Sequence, residues 1–220
     1  YKDGEAIPIM HSRLTDVFQK IGCKYEIIFV NDGSPDNSEN ILEDICSKDF
    51  NTTAIFHSRN FNSQNAFTSG MKQATGDAVV LLDGDLQDPP KYMCAIFNFM
   101  IKNNFDVVNT VRNKRPGETL LRINFIKILY FISKILFTKI TFNSGDFRLI
   151  NNKAKKKIIR VKNKVFFLRS IMPKLKLHQG FYRYNRGIRQ NGISKCNFIW
   201  LTNFAFQAFL ASFNINCFKK

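Results

Sequence analysis

From Tyr25 onward, short apolar runs alternate with stretches whose apolar positions recur at helical spacing. The runs are YEIIFV (25–30), TTAIFH (52–57), AVVLL (78–82) and FDVVNTV (105–111); the stretches between them cover 36–47, 64–74 and 90–103. Continuous apolar runs suit strands buried on both faces, and strands separated by a helix-length crossover pair in parallel. The pattern predicts an α/β fold with a mainly parallel sheet flanked by helices. Ligands in such sheets bind beyond the carboxyl ends of the strands. Two polar loops, NDGSPDNS (31–38) and DGDLQDPP (83–90), follow strands and fall at that edge.

The second half of the chain has a different texture. Over 120–140 a helical spacing puts Leu121, Phe125, Ile128, Leu129, Ile132, Ile135 and Leu136 on one face, with Arg122, Lys127, Lys134 and Lys139 elsewhere. That density of charge excludes an ordinary membrane span and fits a helix lying in a bilayer interface, with core packing of the same face as the competing reading. The aromatic stretch NFIWLTNFAFQAFLASFNINCF (197–218) carries Asn203, Gln207, Asn214 and Asn216, and is read as membrane-proximal.

Charge sharpens the contrast between the halves. The net charge is +16, and after Val111 the only acidic residues are Glu118 and Asp146. A cationic second half expects an anionic partner. Nucleic acid is excluded as the preferred one, because the basic residues come with aliphatic helices and no recognition motif. The five cysteines, Cys23, Cys46, Cys94, Cys196 and Cys217, are odd in number and widely spaced, so a reducing setting is expected and neither a disulfide framework nor a zinc ribbon. No secretory leader is expected at the start of the chain.

The densest chemistry lies in DGDLQDPP. A buried strand that runs straight into Asp83, Asp85, Gln87 and Asp88 gathers negative charge that repels itself unless a cation sits among it. Hard oxygen ligands of this kind suit Mg²⁺ or Mn²⁺, which take one or two carboxylates and complete their shell with substrate phosphates. Gly84 is expected to supply a sharp turn, and Asp88, just before Pro89 and Pro90, a helix cap.

Five segments in order, YEIIFVNDGSPDNS, HSRNFNSQNAFTSGMKQATGDAVVLLDGDLQDPP, VRNKRPGET, GDFRLI and YNRGIRQNGISK, resemble glycosyltransferase family 2. Within it they resemble the polyprenyl-phosphate sugar transferases, the branch of bactoprenol glucosyltransferase and dolichyl-phosphate mannose synthase. GDFRLI and the R-x-x-R-x-x-G-x-S-K spacing are closer to the bactoprenol type. The resemblance implies a GT-A type nucleotide-sugar-binding domain. It implies that Asp32 contacts the nucleotide base, with the Asp36 region closing that loop, and that Asp83, Asp85 and Gln87 hold the metal and the diphosphate. Arg112, Arg115 and Arg122 would receive the lipid phosphate, Asp146 would stand near the reacting centre, and Arg186, Arg189, Ser194 and Lys195 would close over phosphates. Asp85, Asp146 and Arg115 are thereby the expected catalytic residues.

The function this implies is a metal-dependent, inverting transfer of a sugar from a nucleotide-diphosphate sugar to a polyprenyl phosphate, at the cytoplasmic face of a membrane whose anionic surface is a further partner. Two anions must be held together, and a divalent cation with arginines, whose planar forks bind phosphate bidentately, offsets their repulsion. Because the acceptor phosphate is already ionised, Asp146 is left either positioning a cation such as Arg148 or giving modest base assistance. The rivals are a family member with a glycan hydroxyl as acceptor and a truncated, non-catalytic membrane-binding fragment. Residues 1–196 are expected to form the catalytic domain, with amphipathic interface helices at 119–140 and a membrane-proximal segment at 197–220; self-association is left open. Three departures from the family pattern stand out: Tyr1 falls where the first strand should already have passed, Asn62 replaces a glycine, and the chain stops short of the transmembrane helices of this branch.

Overall fold

A computed structural model describes residues 4–113, 144–161 and 168–187. The chain enters on α1 (Ala6–Ile21), which lies ahead of the first predicted run. Ala6, Met10 and Leu14, four apart, are its buried face, and Gly22 closes it in the left-handed region at φ 68°. Then come β1 (Ile27–Asn31), α2 (Ser38–Lys48), β2 (Thr52–Phe56), α3 (Ser63–Gln73), β3 (Ala78–Leu81), α4 (Met93–Asn103) and β4 (Val107–Arg112). This is the predicted alternation.

Asn62 shows why it can replace glycine ahead of α3. Its φ is 80°, a region asparagine tolerates better than most residues, and its side chain accepts hydrogen bonds from the N–H groups of Gln64 (3.0 Å) and Asn65 (3.3 Å). The departure has become an N-cap.

Two further strands complete the described fold: β5 (Ser144–Asn151), followed by α5 (Asn152–Ile159), and, after the short α6 (Leu168–Ile171), β6 (Gln179–Tyr184). The strands form two hydrogen-bonded groups, β1–β2 in parallel and β3–β5–β4–β6. In the second group β5 runs antiparallel to β3 and β4, while β6 is parallel to β4. One reversed strand thus lies within a sheet otherwise of one direction. The core joins both groups, since Ile27 of β1 packs with Met10 and Leu14 of α1, Ile96 and Met100 of α4, Val108 of β4 and Phe147 of β5. Among the described residues no helix is long and apolar enough to cross a membrane.

Candidate active site

The reversed strand has a direct consequence for chemistry. Leu81 of β3 pairs with Arg148 of β5, so two residues further along β3 and two back along β5 Asp83 and Asp146 come level with each other. Arg112 ends β4 beside Tyr184, which ends β6, and Arg186 follows two residues later. Asp83, Asp146, Arg112 and Arg186, up to 103 positions apart by their numbers, meet at one sheet edge.

The cation question raised by the carboxylate loop has a first answer in arginine. Arg169 donates from Nε to Asp146 Oδ1 at 3.2 Å and from Nη2 to Oδ2 at 2.8 Å, a two-pronged contact. Arg148, 1% exposed, donates from Nη2 to Asp146 Oδ1 at 3.2 Å and to the Gly145 carbonyl at 2.8 Å. Arg186 Nε donates to Asp88 Oδ1 at 2.9 Å, and its Nη2 lies 3.6 Å from Asp85 Oδ2. Arg112 Nη2 stands 3.8 Å from Asp88 Oδ2. Four carboxylates, of Asp83, Asp85, Asp88 and Asp146, face four guanidiniums, of Arg112, Arg148, Arg169 and Arg186. Gly145 keeps room for this: a Cβ there would lie 2.9 Å from Arg112 Nη2.

The balance is uneven within the cluster. Burial would raise the carboxyl of Asp146, but Arg169 and Arg148 outweigh it and hold the group down at about 2. Asp83 has the opposite fate: desolvation, then the charges of Asp146, Asp88 and Asp85, push it up to about 7 against the pull of Arg112. Asp83 is therefore the carboxylate that the arginines leave under-compensated.

Two expectations about the loop meet the structure differently. The chain does turn at Gly84 and Asp85, but a Cβ at Gly84 would meet nothing within 4 Å, and the left-handed residue of the loop is Leu86 at φ 60°. That conformation costs a branched residue about 1–2 kcal/mol. Leu86, 4% exposed and packed in the core, offsets the cost by burial and pins the loop to the sheet. Asp88 is no helix cap: the 3₁₀ turn Pro90–Tyr92 has no side-chain cap, and Asp88 is wholly buried, accepting a short hydrogen bond from the Tyr184 hydroxyl as well as the bond from Arg186. Burial and the Asp88 charge raise the Tyr184 phenol well above its ordinary range. The Gly187 N–H donates to the Gln87 carbonyl at 2.8 Å, so the segment after β6 is stitched directly onto the carboxylate loop.

The second polar loop forms a separate corner. Asp32, 6% exposed, accepts at Oδ1 from His57 Nδ1 (2.8 Å) and from the Phe61 N–H (2.9 Å). Asp36 is held down at about 2: desolvation opposes, but the hydroxyls of Ser34 and Ser38 and the N–H groups of Gly4 and Ser38 prevail. Gly33, at φ 61°, allows this loop to touch the segment that follows β2, since a Cβ would come within 2.5 Å of the Arg59 carbonyl carbon.

Of the residues expected from the sequence, Asp83, Asp85, Asp146, Arg112 and Arg186 come together, Gln87 joins them through its backbone, and Asp32 anchors the neighbouring corner. Arg115, Arg122, Arg189, Ser194 and Lys195, like 119–140 and 197–220, lie outside the described residues. Sequence reasoning misses Arg169, Tyr184 and His57 as working residues. Arg169 lies 23 positions from Asp146, and no local spacing links the two.

Among the described residues no group of three or more His, Cys, Asp or Glu is arranged to hold a metal ion by itself. The pair Asp83 and Asp85 offers the donor chemistry of a shared site only. Two carboxylates in an open setting, one of them charge-strained, are the donor set Mg²⁺ or Mn²⁺ uses when substrate phosphates complete its shell.

A parallel sheet with one reversed strand returning an aspartate to a carboxylate loop is a GT-A architecture, and solved structures share it. The mannosyltransferase PcManGT from Pyrobaculum calidifontis, in complex with GDP-Man and Mn²⁺, matches with a TM-score of 0.61 at 13% identity over 93% of this chain and 59% of that one. Residues 6–159 match Glycosyl transferase family 2, and the chain belongs to that family. The uncharacterized glycosyltransferase YkcC of Bacillus subtilis (strain 168) is 35% identical over 196 residues, 89% of this chain and 60% of that protein. The bactoprenol glucosyl transferase of Shigella phage SfX is 30% identical over 208 residues, 94% of this chain and 68% of that protein. The chain spans about three fifths of the length of YkcC.

Proposed function

We propose that the chain carries the catalytic site of a metal-dependent, inverting glycosyltransferase that moves a sugar from a nucleotide-diphosphate sugar to a polyprenyl phosphate at the cytoplasmic face of a membrane. The observation that carries this reading is the ion-paired state of Asp146. A general base for a sugar hydroxyl works best with a pKa near the operating pH, and Asp146 is held at about 2 by Arg169 and Arg148. An acceptor that is already an anion needs no base and does need cations, and here Asp146 orients guanidiniums. This favours the phosphate acceptor over a glycan hydroxyl, as does the likeness to a bactoprenol glucosyl transferase.

In this reading Asp83 and Asp85, with Gln87 beside them, would hold Mg²⁺ or Mn²⁺, whose charge would offset that of the diphosphate. Arg186 lies where it can exchange a carboxylate for a phosphate oxygen, because its Nη2 is 3.6 Å from Asp85 while its Nε stays on Asp88. Arg112 and Arg169 at the same edge, with Arg115, Arg122, Arg189, Ser194 and Lys195, would hold the acceptor phosphate. The anionic membrane surface belongs to the same proposal: a net charge of +16 attracts the chain to it, and added salt should weaken cosedimentation with anionic vesicles.

The direct test incubates the chain with Mn²⁺, labelled nucleotide sugars and a short polyprenyl phosphate. Label entering the organic phase only when the lipid phosphate is present is the expected result. Label entering a glycan in the absence of lipid would replace this reading by the hydroxyl-acceptor one.

A further inference from the structure

We propose that His57 is a positioning residue that sets the orientation of Asp32, the residue that the family resemblance gives as the contact to the donor's nucleobase, by holding one of its carboxylate oxygens so that the other faces that base. The inference deepens the transferase reading above and rests on it.

The placement follows from strand register. Asn31 and Phe56 are the last paired residues of β1 and β2, and the His57 N–H continues the ladder by donating to the Asn31 carbonyl at 2.9 Å. Asp32 and His57 therefore leave the two strands side by side. Asp32 Oδ1 takes both the His57 Nδ1 contact, at 2.8 Å, and the Phe61 N–H, at 2.9 Å, while no hydrogen bond to Oδ2 is found among the described residues. An ionised carboxylate only accepts, so the hydrogen of this contact sits on Nδ1. The other ring nitrogen, Nε2, is engaged by the Ser69 hydroxyl, 2.9 Å away on α3. The Phe61 ring meets the imidazole edge-on at 5.5 Å and carries Arg59 on its face at 4.9 Å, which limits tilting of the histidine. Each side of the imidazole is thus spoken for, and the carboxylate can turn only by breaking two bonds.

The chemistry of Oδ2 then defines the base it recognises. An acceptor-only oxygen favours a ring edge that presents N–H, as uracil does at N3 and guanine at N1 and N2. Cytosine and adenine present a lone pair at the matching ring nitrogen, which this oxygen repels. Loss of a buried hydrogen-bond match is a strong source of discrimination. His57 contributes to that discrimination without touching the base.

The test measures binding of UDP, GDP, CDP and ADP, each with Mn²⁺, to the full chain by calorimetry, with Mn²⁺–pyrophosphate as a probe that has no base. For wild type, UDP or GDP should bind at least about tenfold more tightly than CDP and ADP. His57→Ala should weaken the preferred nucleotide by about tenfold and compress its advantage, leaving pyrophosphate unchanged. His57→Asn, whose amide N–H can take the place of Nδ1–H, should restore most of the preference, whereas His57→Gln, which matches the Nε2 position, should not. Should His57→Ala fail to fold, the Asn and Gln pair decides, and equal behaviour of the two overturns the inference. Discrimination retained in His57→Ala also overturns it, as does a loss spread equally over nucleotides and pyrophosphate. A wild type that binds none of the four nucleotides overturns the transferase reading itself, and the inference with it.

Discussion

The corner around Asp32 and the edge around Asp83 both place aspartates at the carboxyl ends of strands, yet they satisfy them by different means. Asp32 and Asp36 are held by an imidazole, two hydroxyls and backbone N–H groups. Asp85, Asp88 and Asp146 are held by guanidiniums delivered from β4, β5, α6 and the segment after β6. Hydroxyl and backbone donors fix a carboxylate without adding charge, which agrees with the proposed socket for a flat base. Guanidiniums can exchange partners, which agrees with the proposed edge for phosphates and a metal ion. The first region is held by hydrogen bonds, and the second is balanced by opposed charges.

The largest way to break the comparison is at Arg148. It is 1% exposed and bonded to both Asp146 and the Gly145 carbonyl, so Arg148→Ala should empty a large buried volume and strip one of the two guanidiniums from Asp146, at a cost of about 3–5 kcal/mol read by urea denaturation. An equally costly loss at His57 would erase the distinction, since removing this smaller, partly exposed hydrogen-bonding side chain should cost less.

Gly33→Ala attacks the other region. Its φ of 61° and the 2.5 Å approach to Arg59 backbone predict a loss of about 2–4 kcal/mol, together with loss of nucleotide binding. A variant of wild-type stability that binds UDP normally would show that loop 31–38 and the segment after β2 need not touch.

Asp83→Asn should act with the opposite sign. Its carboxyl is pushed from 3.8 to about 7 in the fold, so the native state keeps a proton that the unfolded chain releases near pH 4. Stability from this group is therefore lost as pH rises from about 4 to 7, and above pH 7 the full charge is imposed on the cluster. In EDTA at pH 8, Asp83→Asn should be more stable than wild type by on the order of 2 kcal/mol, while losing Mn²⁺-dependent nucleotide binding. A stability that is flat across this range in wild type would mean the arginines compensate Asp83 after all.

The smallest effect is expected at Gly84. With nothing within 4 Å of a Cβ, Gly84→Ala should change stability by less than about 0.5 kcal/mol. Weaker donor binding in that stable variant, measured by calorimetry, would mean that the residue is small for the ligand's approach rather than for the turn.

Much of this molecule is legible in the order of its amino acids. The apolar runs and helical spacings from Tyr25 to Val111 spell out the alternation of strands and helices, because burial of a strand or a helix face leaves a periodic trace over a few residues. The same trace places both polar loops at one edge, and asparagine at position 62 is compatible with the positive φ found there. What only tertiary structure decides is how charge is shared at that edge. The reversal of β5 brings Asp146 level with Asp83, Arg169 reaches back 23 positions, and Tyr184 and Arg186 close on Asp88 across 96 and 98. Likewise His57 holds Asp32 through the register of two strands and not through any spacing in the chain. Hydrophobic burial is written locally because each element must bury its own face. A network of ion pairs is decided by which elements meet, and that is a property of the assembled sheet.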